Sequence, residues 1–135
     1  MKYLMDYCEA KQEKLMEECG AFFAFNTHQM KEKLVDGKKY VGLGAGLFVE
    51  SDKAKHFVDE WAKIMEQGIE EDKKDHGRID IIMRELENHE AFYTNNTEDT
   101  VEKLKGYGDG YNKEDIDQVF NDEMRKRFRT GEVAQ

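Results

Sequence analysis

Along residues 2–19, Leu4, Tyr7, Cys8, Leu15 and Cys19 recur at spacings of three, four and seven, interrupted by Lys11, while Glu and Lys cover the remaining positions. That period predicts an amphipathic first helix, which Gly20 ends. The next five residues, 21–25, are continuously apolar and hold Phe22, Phe23 and Phe25, so at that length they read as a buried strand. Thr27 is placed to cap a short helix through Leu34, with Met30 and Leu34 inward, before Asp36-Gly37 makes a turn.

From Tyr40 to Val49 apolar residues alternate cleanly. Val41, Leu43, Ala45, Leu47 and Val49 point one way, and Tyr40, Gly42, Gly44, Gly46 and Phe48 the other. The first set predicts a core face. The second is a glycine strip framed by two aromatics, open to close approach by a backbone, a ring or a ligand. The same glycines are equally suited to a bend that folds the segment into a hairpin.

Ser51 is a suitable N-cap for a long helix in which Ala54, Phe57, Val58, Trp61, Ile64, Met65 and Ile69 follow the helical period. The polar run 70–76 thins that pattern and Gly77 breaks it, before a helix with Ile79, Ile82, Met83 and Leu86 on its apolar face. Asn96 or Thr97 can cap a short helix with Val101 and Leu104 inside, stopped by Gly106. A turn follows over residues 107–111. Asn112 then opens a last helix with Ile116, Val119, Phe120, Met124 and Phe128 along one side. The sum is a mostly helical α+β chain with a two- or three-stranded sheet at about residues 20–50. We expect one globular domain over residues 1–129 and a frayed tail over 130–135.

Composition supports a folded chain. At 135 residues and 15.8 kDa it is long enough to bury a core without staples, and 8 Phe, 6 Tyr and 1 Trp can fill that core. No apolar run approaches the length of about 20 residues that spans a bilayer, and the amino terminus lacks a signal-peptide pattern, so the expectation is a cytoplasmic protein without a membrane contact. Cys8 and Cys19 lie about 16 Å apart on one helix, beyond disulfide reach, and are expected to be reduced core thiols. The net charge of −9 argues against bare nucleic acid as a partner. With no proline, the chain must turn on Gly and Asn.

The densest chemistry lies in residues 84–94. Glu85 and His89 stand four apart on one helix face, which suits a divalent ion or a base with its orienting carboxylate. His89 is also three residues after Leu86 and seven after Ile82, at the edge of the apolar stripe, where it can close a core boundary. Tyr93 stands where the zinc-protease pattern needs its second histidine, so that motif is absent. His28, His56 and His76 could join His89 around a metal only by tertiary approach. Residues 42–46 lack both the dinucleotide glycine spacing and the Gly-Lys-Ser/Thr of a phosphate loop. The last helix runs from acidic (Glu114, Asp115, Asp117) to basic (Arg125, Lys126, Arg127, Arg129), which complements its own dipole.

The Glu85-Leu-x-Asn88-His89-Glu90 run, followed by aromatics and Thr94 and then by an acidic helix ending near Tyr107-Gly108, resembles a motif in small proteins of phages and mobile elements. The phenylalanine strand followed by the glycine-rich one is similar too. The resemblance implies genetic context and assigns neither catalytic residue nor cofactor. The expectation it supports is a non-enzymatic protein that binds and inhibits a host factor, for instance a defence component, through a surface that includes Glu85, Asn88, His89 and Tyr93. Two other classes stand beside it. One is a metal-assisted hydrolase in which Glu85 and His89 hold the ion and Glu87 or Glu90 is the base. The other is a protein that sequesters a small nucleotide-like ligand on the glycine strip, with Tyr40, Phe48 and Tyr93 as walls. The strip is also a place for homo-oligomer formation.

Overall fold

A computed structural model describes residues 1–130, so the expected frayed tail lies outside the described residues from 131 on, while Thr130 closes the last helix. Among the described residues there are seven α-helices and a three-stranded antiparallel sheet, which bears out the α+β reading. The chain falls into two compact units, Met1–Gly68 and Ile69–Gln135.

In the first unit, helix α1 (Leu4–Glu18) buries Leu4, Cys8, Gln12 and Leu15. Gln12 is the surprise. It fills the step that Lys11 seemed to interrupt and donates to Met65 Sδ at 3.3 Å. The predicted stop holds: Gly20 takes φ 61°, and the N–H groups of Gly20 and Ala21 close on Glu17 O and Met16 O, satisfying carbonyls the helix leaves open. Cys8 and Cys19 are fully buried thiols that form no disulfide among the described residues. Burial first, and then the neighbouring Glu18, pushes the Cys19 thiol up.

The apolar run at 21–25 is only a two-residue strand, β1 (Phe22–Phe23), and of its phenylalanines Phe23 and Phe25 are exposed. Only Ala24 is fully inside, because this strand sits at a sheet edge. Helix α2 (Thr27–Lys33) is capped by Asn26, whose Oδ1 accepts from Gln29 N at 2.8 Å, not by Thr27. Leu34 is exposed rather than inward.

The glycine-rich segment is the hairpin. Strands β2 (Tyr40–Gly44) and β3 (Leu47–Glu50) turn over Ala45 and Gly46, both at positive φ as a two-residue primed turn demands. The strand order is β1-β3-β2. The alternation survives as register, since Val41 pairs with Val49 and Gly42 with Phe48. Burial does not follow it: Val49 is fully buried on the central strand, whereas Val41 and Leu43 on the edge strand are exposed.

Ser51 begins a short 3₁₀ turn (Ser51–Lys53) leading into helix α3 (Ala54–Asp75). Phe57, Ile64 and Gly68 face inward, Trp61 stacks on Phe57 at 5.4 Å, and Val58 faces out against expectation.

The second unit contains the end of α3, then α4 (Arg78–Asn88), α5 (Ala91–Thr94), α6 (Glu98–Lys103), a 3₁₀ turn (Lys105–Tyr107) and α7 (Lys113–Thr130). Its core is Ile81, Ile82, Leu86, Ala91, Leu104, Tyr107, Ile116 and Phe120. Ile79, expected inside, is exposed; the buried stripe of α4 also contains Arg84 and Glu85. Asn112 caps α7 as predicted, accepting from Asp115 N at 2.9 Å while Asp115 accepts from Asn112 N at 3.2 Å. Phe128 near its end is exposed.

Candidate functional site

The 84–94 segment opens onto a buried ionic network inside the second unit. Asp72 follows Gly68 on α3 by four residues and is fully buried. Arg84 grips it with both terminal nitrogens, Nη1 to Oδ1 and Nη2 to Oδ2, each at 2.8 Å. The third guanidinium nitrogen, Nε, donates to Glu85 Oε2 at 2.6 Å. Tyr107 Oη donates to Asp72 Oδ2 at 2.5 Å, and His76 Nδ1 lies 2.9 Å from Asp72 Oδ1. Thr100 Oγ1 donates to the Glu85 carbonyl at 3.2 Å, and Lys73 Nζ to that of Tyr107 at 2.9 Å.

The electrostatics follow from burial opposed by pairing. Burial by itself would raise the Asp72 carboxyl, but hydrogen bonds from Arg84, Tyr107 and His76 hold it below the usual aspartate range. For Arg84 desolvation opposes the charge, and the bonds to Asp72 and Glu85 overcome it and push its pKa up. Tyr107 is pushed up by burial and then by the Asp72 charge, so its phenol stays protonated and donates. A paired carboxylate of this kind carries a pH signature. With the folded pKa depressed, the Asp72 contribution is full above the unfolded value near 3.8 and is lost as pH falls through the lower folded value. Urea melts across pH 2–6 should therefore show acid destabilisation of the wild type that is reduced in Asp72→Asn; equal slopes would contradict this account.

Glu85 and His89, the pair singled out by spacing, do meet, with His89 Nε2 3.7 Å from Glu85 Oε1. That is an ion-pair approach longer than a hydrogen bond, and neither atom has a hydrogen-bond partner among the described residues. His89 also caps α4, its N–H closing on Glu85 O and that of Glu90 on Glu87 O, before Glu90 turns the chain at φ 55°. Glu85 is only 1% exposed, so it lies on the inner side of the helix and not on the outer surface, where it was expected to meet a partner. Asn88 and Tyr93 do face outward, Tyr93 at 82% exposure.

The four histidines each sit beside a carboxylate of their own: His28 with Glu32, His56 with Glu18, His76 with Asp72 and His89 with Glu85. Among the described residues, no group of three or more His, Cys, Asp or Glu is disposed to hold a metal ion.

On the first unit, the chain's own rings lie against two of the three strip glycines, while Gly44 stays open. A Cβ on Gly42 would lie 3.3 Å from the Phe48 ring, and one on Gly46 would lie 2.5 Å from that of Phe25. Tyr40 and Phe48 both pack on Phe22, with centroids at 5.3 and 5.6 Å. What remains open is the apolar surface around the hairpin. Phe23 and Phe25 stack at 6.3 Å and are 44% and 73% exposed, while Val41 and Leu43 are 38% and 37% exposed.

Sequence reasoning missed Asp72, Arg84, His76 and Tyr107 as a group. The signal was there for Asp72, at the next inward step after Ile64 and Gly68. Arg84 falls outside the predicted apolar face of α4, although it stands two residues from Ile82 and two from Leu86.

These features define a mostly helical α+β protein with a closed internal ion network and an exposed apolar hairpin. The chain belongs to a family of unknown function, DUF7659, whose model matches residues 4–130. No curated protein and no solved structure matches it. No described helix is long and apolar enough to cross a membrane.

Proposed function

We propose that the chain is a non-enzymatic binding protein of a phage or mobile element that engages and inhibits a host protein. The observation that carries this reading is the apolar surface of Phe23, Phe25, Val41 and Leu43, exposed on a chain of net charge −9. Phe23 and Phe25 stack at the β1 edge and Val41 and Leu43 line the β2 edge, and clusters of exposed apolar groups mark interaction sites. The internal network supports the same reading from the other side. Arg84 is fully engaged, Asp72 accepts from several donors, and Glu85 is buried, so these groups serve as scaffold. The genetic context rests on the resemblance carried by residues 85–94.

The test is affinity capture from a lysate of the cell that carries the gene, with the full chain and Phe25→Lys/Leu43→Lys side by side. The expected result is one stoichiometric protein bound by the wild type and lost, at least tenfold, from the double variant with an unchanged melting temperature. Purified chain should then reduce that protein's activity. Capture of nothing, or equal capture by both chains, overturns the reading. Asn88→Ala/Tyr93→Ala provides the comparison for the outer face of the 84–94 segment.

A further inference from the structure

We infer that the partner contributes an extended acidic segment, which adds as a fourth strand to the open edge of β2. This rests on the binding reading above and specifies what is bound. Three observations converge. With the order β1-β3-β2, β2 has a neighbour on one side only, and Val41–Gly44 are all exposed along the strand. An edge strand offers unpaired backbone groups, and proteins that avoid pairing blunt such edges with charge or proline. Residues 40–44, Tyr-Val-Gly-Leu-Gly, contain neither, and the register shift at Leu43, between Gly42 and Gly44, leaves Tyr40–Gly42 as the regular stretch of edge.

The second observation concerns charge. In a chain with 30 acidic residues among 135, the two stretches that build the sheet, 19–31 and 37–49, contain no acid at all. Lys38 and Lys39 stand directly before β2, both exposed. The carboxylate that joins the sheet next, Glu50, is buried and held by Lys38 at 3.4 Å and Lys53 at 3.7 Å. Lys38, shared with Glu50, and Lys39 border a depression with Asp52 on its far side, and they are the cations that a carboxylate-bearing segment along the acid-free strand meets first.

The third is the side chains along the edge. Val41 stands in the regular ladder opposite Val49 and Leu43 at the register shift that follows it, both exposed, so an added strand gains from apolar residues along it. Main-chain bonds would provide affinity and these two contacts specificity, the mode known as β-augmentation. In antiparallel register the acidic end of the guest falls at its carboxyl terminus, opposite Lys38 and Lys39.

The probe is the blocked heptapeptide Thr-Val-Thr-Val-Thr-Glu-Glu, titrated into the full ¹⁵N-labelled chain, with Thr-Val-Thr-Val-Thr-Lys-Lys as its charge-reversed control. The expected result is saturable shifts and slowed amide exchange confined to 38–44, with the lysine peptide binding at least tenfold more weakly. Lys38→Glu/Lys39→Glu should invert that preference. No localised change, equal binding of both peptides, or a protected edge explained by concentration-dependent self-pairing would overturn the proposal. Co-sedimentation of the chain with phosphatidylserine vesicles, abolished by Phe25→Lys, would overturn it in favour of a lipid surface. If affinity capture succeeds but Lys38→Glu/Lys39→Glu captures the partner undiminished, the strand proposal fails and the binding reading stands. If capture fails altogether, the binding reading itself has failed.

Discussion

Arg84→Met should destabilise the protein by about 3–5 kcal/mol, the usual cost of removing one partner from a buried ion pair. The guanidinium is the hub. Its removal deletes two bonds to Asp72 and one to Glu85 and leaves both carboxylates buried, at 0% and 1% exposure, without their cation. Methionine matches the aliphatic stem, so the loss reports charge and not volume. Restoring neutrality should recover most of it. In Asp72→Leu/Arg84→Met/Glu85→Leu, apolar packing replaces a network whose desolvation is itself costly, and stability should return to within about 2 kcal/mol of wild type. Urea denaturation of the single and triple variants decides the matter. A single variant within 1 kcal/mol of wild type would mean that the network is not the fastener described above.

Gly68→Ala is the second large effect, with an expected loss of about 2 kcal/mol in spite of the roughly 1 kcal/mol that alanine gains over glycine in a helix. The added Cβ would sit 2.3 Å from Cys8 Sγ and 3.3 Å from Leu4 Cδ1, so α1 and α3 would have to part. Cys8 is fully buried and its thiol already donates to Ile64 O at 3.7 Å, which leaves it little room to turn away. The diagnostic is a change of sign. In a Cys8→Ala background the overlap is gone and only the propensity gain remains, so Gly68→Ala should then stabilise. Thermal melts of the four chains in this cycle would show coupling of about 3 kcal/mol or refute the contact.

Both effects depend on positions whose importance pattern reading undervalues, for related reasons. Gly68 and Arg84 stand outside the apolar stripes that the period marks out, because an isolated helix shows neither its neighbour's side chain nor its partner's carboxylate. Glu85 and His89 were legible as a pair, since a spacing of four is a local property of the helix. Which side of α4 that pair faces was not. Glu85 turns inward because Arg84 meets its carboxylate there, and the exposed partner surface expected at 85–93 reduces to Asn88, Tyr93 and their exposed neighbours.

Period and punctuation determined the larger part of the fold by themselves. The stripe of α1 and its Gly20 stop, the long run of α3, the break at Gly77 and the Asn112 cap all depend on residues within a turn or two of each other. The hairpin was also within reach as one of two readings of the glycines at 42–46. Tertiary structure alone decided the rest. It made β2 an edge, so that Val41 and Leu43 stay exposed while Val49, on the same face, is fully buried. It set Phe48 against Gly42 and Phe25 against Gly46. It also drew Asp72, Arg84, Glu85 and Tyr107 into one buried network from separate elements. The physical reason is range: helix period and capping act over a few residues of chain, whereas strand order and the pairing of buried charge depend on contacts between residues distant in sequence.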